Sequence, residues 1–121
     1  MTDWTPQELN ELDRVAEVQV AGRHADGTAR RMVTVWHVVV DGCVYLRSVK
    51  GPEGQWYRGV TRHHEGFLRW DGQTRDVAFT RDTAHDAVID AAYIAKYGRG
   101  SATSAIISAV AAQTTLRVDP R

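Results

Sequence analysis

The spacing of apolar residues predicts a helix at the start of the chain. Apolar side chains recur there at intervals of three and four residues, as on one face of a helix: Leu9, Leu12, Val15 and Ala16. The preceding Thr-Pro-Gln-Glu at 5–8 supplies an N-cap, a proline at the first helical position and the glutamate of a capping box. The sequence therefore predicts a helix over residues 5–17, with one buried face and one acidic face in solvent.

From residue 18 to about residue 80 the pattern changes to that of β-strands. Alternating and β-branched runs are separated by Asp-Gly pairs at 41–42 and 71–72, which are the strongest short signal for a hairpin turn. A loop with glycine and proline at 50–54 leads into residues 55–60, which are compatible with one or two helical turns. Five strands are predicted in this part of the chain: 18–21, 32–40, 43–48, 66–70 and 75–80.

The last third of the sequence predicts two helices and one closing strand. The helices lie within residues 82–112, the first ending at Gly98 and the second rich in alanine, and the strand covers residues 114–118. Closing a sheet into a barrel removes its exposed edges. The fold class is therefore mainly β with peripheral helices (α+β), a six-stranded antiparallel barrel in a single domain over residues 1–121.

Composition and charge narrow the functional classes. The 121 residues carry no formal net charge, but the first 22 contain five acidic residues and one basic residue, whereas residues 23–81 contain ten basic and six acidic residues. This excess of four positive charges is spread too widely for a nucleic-acid surface, and no recognition helix accompanies it. No apolar run approaches the roughly 20 residues of a membrane helix. The opening Thr2, Asp3 and Trp4 do not form a secretory leader, so a cytoplasmic location is expected.

A series of short motifs in residues 22–81 carries a family resemblance. In order they are Gly22-Arg23, the turn to Gly27, Arg30, Asp41-Gly42, Tyr45 to Ser48, Lys50-Gly51 and Trp56-Tyr57-Arg58-Gly59-Val60. This order resembles the split barrels that bind flavins and deazaflavins, namely pyridoxamine-phosphate-oxidase-like (PNPOx-like) proteins and deazaflavin-dependent nitroreductases. Over its whole length, the chain is similar to the bacterial family called domain of unknown function 2255. The resemblance implies a six-stranded split barrel, a homodimer, and FMN or a deazaflavin bound at the dimer seam.

The resemblance also implies which residues bind the cofactor. Guanidinium groups, a hydroxyl and glycine backbone amides are suited to a phosphate, and an indole is suited to a flavin ring. The expected cofactor-binding residues are Arg30, Arg47, Ser48, Lys50, Gly51, Trp56 and Arg58. Arg30 and Arg31 are adjacent and point opposite ways on a strand, and the family spacing favours Arg30. Trp36, inside an apolar strand, is expected in the core.

Few other side chains indicate chemistry. His37, on the long strand, is the candidate proton donor, and the single cysteine, Cys43, is expected to be a buried small side chain. His63-His64 lacks the spacing of a metal site, so no metal is expected. The carboxylates at Asp82, Asp86 and Asp90 are interpreted as a solvated helix face.

Together these features predict a flavin- or deazaflavin-dependent oxidoreductase that reduces a small organic substrate. Two departures from the nitroreductase pattern, at Thr28 and at Arg58-Gly59, keep alternatives open. One is a cofactor-free barrel that binds a small ligand. The other is a biosynthetic enzyme that uses acid–base catalysis through His37 or Glu53. The expected partners are a small molecule and a second copy of the chain, with no nucleic acid and no membrane.

Overall fold

The structure is a computed structural model that describes residues 3–121. Met1 and Thr2 lie outside the described residues. Two predictions include them, namely the domain bounds 1–121 and the expected absence of a secretory leader. The helices of the described part are α1 Pro6–Arg14, α2 Gln55–Thr61, α3 Asp86–Tyr97, α4 Ser101–Ile106 and α5 Ala109–Ala112. The strands are β1 Val18–Gly22, β2 Val33–Val35, β3 His37–Val40, β4 Cys43–Leu46, β5 Glu65–Trp70, β6 Gln73–Arg81 and β7 Leu116–Pro120.

The strands form one antiparallel sheet in the order β2-β1-β5-β6-β7-β4-β3. β2 and β3 stand at the two ends of this order, yet only Trp36 separates them along the chain. The sheet must therefore curve until its ends meet, which makes a nearly closed barrel. This confirms the predicted fold class, a mainly antiparallel barrel with peripheral helices.

The barrel has seven strands rather than six because the predicted strand 32–40 changes partner halfway along. Its first half pairs with β1, through Val18 opposite Val35, and its second half pairs with β4, through His37 opposite Leu46. The ladder is interrupted at Trp36, where the chain passes from one neighbour to the other. The periodicity of the sequence cannot show this break, because both halves are equally apolar.

Several element boundaries also differ from the predictions. α1 ends at Arg14 and not at residue 17, because Val15 already has an extended conformation, although the capping box of Thr5 and Glu8 is present as predicted. The helical region after α3 consists of two short helices, since Ser108 is extended and caps α5. The last strand begins at Leu116 and not at residue 114. Thr114 instead forms the turn after α5, where its backbone N–H donates to the Ala111 carbonyl.

Two apolar layers hold the elements together. The barrel interior is filled from both halves of the sheet and is closed at one end by α1, which contributes the fully buried Leu12. Trp4 seals the same end, where its indole N–H donates to the Val118 carbonyl at 2.9 Å. A second layer lies outside the barrel, where Ile89 and Tyr93 of α3 pack on Val38 and Tyr45 of the sheet. α3 and α4 are thereby fixed beside the break between β2 and β3.

Candidate functional site

A groove of about 870 Å³ opens where the barrel splits. β2 pairs with β1 alone, and β4 ends at Leu46, so no strand pairing joins β2 to the segment after β4. The groove occupies the gap between them, and helix α4 covers one end. It is lined by Glu17, Arg31, Val33, Thr34, Val35, Trp36, Arg47, Ser48, Val49, Lys50, Glu53, Gly54, Gln55, Trp56, Ala102, Ala105 and Ile106.

Two tryptophans give the groove its aromatic surface. Trp36 stacks on Tyr97 of α3 with ring centroids 3.9 Å apart and planes 4° from parallel. Trp56, in the first turn of α2, meets Tyr57 edge-on at 6.1 Å. Trp56, a predicted cofactor-binding residue, lines the groove. Trp36 both packs against the outer core and reaches the groove, so its interpretation as a core residue is incomplete.

Arg31 and Lys50 are the groove's available cations. Both are exposed, and in the described part of the chain neither forms an ion pair with a carboxylate. Glu17 and Glu53 line the same groove and make its charge mixed. An anionic ligand would therefore meet two cations that need not release another partner first.

The structure places Arg31, and not Arg30, on the groove. Arg30 points the other way, as expected for neighbours in an extended chain, and its Nε donates to the Arg23 carbonyl at 3.1 Å. Its side chain lies against Gly59. Arg58 is likewise absent from the lining of the groove. Arg30, which the family spacing favours, therefore stays a prediction for cofactor binding, but it does not line this groove.

Arg47 is among the residues that line the groove, but its charge is already compensated. Its side chain is 0% exposed, and its guanidinium contacts the carboxylates of Asp86 and Asp90 on α3. The Nε also donates to the Thr115 hydroxyl at 2.9 Å. The interpretation of Asp86 and Asp90 as a solvated helix face is thus incomplete, because their i, i+4 spacing also places both beside one buried cation.

Ser48 and the glycines shape the wall beside Lys50. Ser48 is buried, lines the groove, and its backbone N–H donates to the Thr114 hydroxyl at 2.8 Å. A Cβ at Gly54 would stand 2.2 Å from the Ser48 hydroxyl oxygen, so a larger residue there would have to turn this hydroxyl away. Gly51 has φ +69° and packs against Val110, outside the lining. Gly51 therefore turns the chain next to the groove without being part of its lining.

His37 lies outside the groove and holds the end of α1. Its side chain is buried, its Nε2 donates to the Leu12 carbonyl, and the Lys96 ammonium is 3.1 Å from the same nitrogen. Burial, and secondly the charge of Lys96, lowers the pKa of His37 to about 4. At neutral pH the imidazole is therefore uncharged, and it satisfies a carbonyl that the helix leaves unpaired.

The buried imidazole should make stability depend on pH. In the unfolded chain His37 takes up a proton as the pH falls below about 6.5, whereas in the fold it stays neutral until about pH 4. Its contribution is therefore complete above pH 6.5 and shrinks as the pH falls, by about 2 kcal/mol at pH 4.5. Urea unfolding at pH 7 and pH 4.5 measures this loss. His37→Gln, whose amide still donates to the Leu12 carbonyl, should lose less stability over the same interval; an equal loss in both proteins would contradict the assignment.

Several groove residues were missed by the sequence reasoning. The wall supplied by α4, with Ala102, Ala105 and Ile106, carries no chemical signature at all. Glu17 was assigned to the acidic face of a helix that ends before it. Arg31 could have been found from the sequence, because it is adjacent to the predicted Arg30 and the two point to opposite sides of the chain.

No helix within residues 3–121 is both long and apolar enough to cross a membrane. Among curated protein sequences, none matches this chain.

Three solved structures share the fold at low sequence identity. The heme storage protein HutZ from Vibrio cholerae is 10% identical with a TM-score of 0.64, over 99% of this chain and 90% of that one. A putative 5-nitroimidazole antibiotic resistance protein from Bacteroides thetaiotaomicron is 13% identical with a TM-score of 0.60, over 99% and 82%. An FAD-binding protein from Mesorhizobium loti is 13% identical with a TM-score of 0.55, over 97% and 88%. These likenesses agree with the split barrel.

The sequence itself matches one family model almost from end to end. The match covers residues 8–118, from the first turn of α1 to the middle of β7, and so includes every wall of the groove. The model describes an uncharacterized protein conserved in bacteria, and the chain belongs to this family, DUF2255.

Proposed function

We propose that the protein binds a flavin-type cofactor, FMN or a deazaflavin, in the groove at the barrel split and uses it to reduce a small organic substrate. The observation that carries the proposal is the groove itself, in which two indoles and two free cations share one opening of about 870 Å³. Pockets for cofactors and small ligands commonly measure roughly 300–1,000 Å³. A planar ring with an anionic tail matches both the size and the chemistry of this surface.

The residues of the groove fit such a ligand in distinct ways. Trp36 and Trp56 offer ring faces for stacking, and Lys50 and Arg31 offer charge for a phosphate. The Ser48 hydroxyl is a further hydrogen-bond donor on the same wall. Of the sequence-predicted anchors, the proposal retains Ser48, Lys50 and Trp56, with Arg47 as a residue that positions the wall.

A ring without a metal fits the groove better than heme does. A heme iron requires an axial ligand from histidine, cysteine, methionine or tyrosine. Among the described residues, the lining of the groove includes none of these four types. The FAD-binding neighbour is therefore the closer guide to the ligand class than the heme storage protein is.

A bound flavin or deazaflavin would supply hydride or electron transfer, so the protein would not need a catalytic acid–base pair. The side chains then bind and orient the ring and limit the access of water. His37 is too deeply buried behind the groove to donate a proton to a ligand there. No motif in the sequence indicates an acid–base pair, which is consistent with a protein whose cofactor performs the chemistry.

The proposal keeps the cytoplasmic location expected from the sequence and includes a homodimer, as the family resemblance implies. Its support is an apolar surface beside the groove, where the side chains of Val49 and Val110 are 53% and 50% exposed. Val49 lines the groove and Val110 packs on Gly51 next to Lys50. A second copy covering this surface would complete the pocket.

Glu53 supports one alternative. It is a carboxylate on the groove lining, so acid–base catalysis without a cofactor has a candidate residue there, whereas His37 no longer serves that alternative. A small-ligand carrier would use the same groove without redox chemistry.

The proposal is tested by visible absorption of the purified protein and by titration with FMN, FAD, the deazaflavin coenzyme and hemin. We expect saturable binding of at least one flavin or deazaflavin and weaker binding of hemin. Binding of none of the flavins or deazaflavins would refute the redox function. Tight binding of hemin alone would redirect the assignment to heme.

A further inference from the structure

Trp36 occupies a special position, because it is the residue at which the barrel strand changes partner. One face of its indole is covered by Tyr97, at a centroid distance of 3.9 Å and an angle of 4°. The side chain also lines the groove. Since an aromatic ring has two faces and Tyr97 covers one, only the other face is left for a ligand that enters the groove.

The stacked pair is held rigidly from behind. The Tyr97 hydroxyl donates to the Ala16 carbonyl at 2.7 Å and lies 3.0 Å from the His37 carbonyl, while the His37 backbone N–H donates to it at 3.2 Å. Burial raises the pKa of Tyr97 to about 12, so the phenol keeps its proton at neutral pH. A surface fixed in this way requires little reorganisation when a ring binds, which favours affinity.

Trp56 lacks this support. It meets Tyr57 edge-on and packs as a partly buried side chain against the barrel core. Its indole therefore closes the groove from the side of α2. The two tryptophans differ in role even though both line the same opening.

The two cations come from different walls of the groove. Arg31 precedes β2, and Lys50 follows the segment that continues from β4. A phosphate between these walls would be contacted from both sides, with no competing carboxylate already bound to either cation among residues 3–121.

We infer that the ring of a bound flavin lies on the groove-facing side of Trp36 and that its phosphate tail lies between Arg31 and Lys50. This inference rests on the proposed function and deepens it. Trp36 makes the groove selective for ligands with a flat fused ring. Arg31 and Lys50 make it prefer those ligands whose tail carries a phosphate.

Comparison of FMN with riboflavin, which has the same ring without the phosphate, separates the two parts of the site. Trp36→Leu should weaken both ligands by tenfold or more, because stacking on an indole is lost in each case. Arg31→Gln and Lys50→Gln should each weaken FMN about fivefold to tenfold and leave riboflavin unchanged. Trp36→Phe keeps an aromatic ring and should lose less affinity than Trp36→Leu, which also controls for damage to the fold.

Two matched variants complete the experiment. Arg30→Gln removes a cation outside the groove and should change neither affinity, and Trp56→Leu should weaken both ligands less than threefold. If wild type binds FMN but Arg30→Gln and Trp56→Leu cause the large losses, the inference is wrong while the proposed function stands. If wild type binds neither FMN nor riboflavin nor any other flavin, the proposed function fails first.

Discussion

Arg47→Ala is expected to lower the free energy of unfolding by about 3 kcal/mol, measured by urea denaturation. The substitution removes the cation that joins β4 to two carboxylates of α3 and to the Thr115 hydroxyl, and it leaves a void in the second apolar layer. Breaking a buried ion pair from one side costs about 3–5 kcal/mol. We expect the lower end of this range of free energies, because Asp86 and Asp90 are 49% and 36% exposed and are hydrated once the arginine is removed.

Asp90→Asn provides the matched control. It keeps the shape of the carboxylate but weakens the compensation of the buried charge, so about 1 kcal/mol of stability should be lost. Arg47→Met, which fills the space without a charge, should be less destabilising than Arg47→Ala. If instead Arg47→Ala left stability unchanged and reduced only FMN affinity, Arg47 would be a ligand anchor and not a structural one.

Gly66→Ala should be similarly damaging, with a loss of about 3 kcal/mol, at the top of the range for overpacking. A Cβ at Gly66 would stand 2.0 Å from the Ala21 carbonyl oxygen and 3.0 Å from Gly22 Cα, both in the neighbouring strand β1. Backbone atoms cannot move aside as a flexible side chain can, so the two strands would have to separate. A fall in melting temperature of about 10 °C is expected.

Gly100→Ala is the comparison, since nothing lies within 4 Å of the position of its Cβ and its φ of 175° suits any residue. Its stability should stay within about 1 kcal/mol of wild type. Equal melting temperatures for the two variants would show that the strands at Gly66 are more compliant than their spacing indicates.

The sequence predicted the fold well because its signals are local. The Asp-Gly pairs adopt positive φ at both residues and form the two hairpins, with Asp41 at 50° and Gly42 at 77°. The capping box starts α1 where expected. The division of the long strand at Trp36 was not predictable, because it results from a change of partner strands that are far apart in the chain.

The site was predicted less completely because it depends on contacts across the fold. Lys50, Ser48 and Trp56 follow from the loop after β4, and they do line the groove. The pairing of Arg47 with α3 could not be foreseen, since its carboxylate partners lie about 40 residues away. The family motif at Gly22 also has a packing reason, because a Cβ there would stand 2.7 Å from the Gly59 carbonyl oxygen.

Titration of ¹⁵N-labelled protein with FMN, followed by amide and indole chemical shifts, tests the central claim most directly. If a flavin occupies the barrel split, the largest changes should fall on the indole N–H of Trp36, on Val33–Val35 and on the amides of Val49 and Lys50. The outer faces of β5 and β6 should remain unchanged. Shifts confined to those strands, or a spectrum unaffected by saturating FMN, would contradict the placement of the cofactor in this groove.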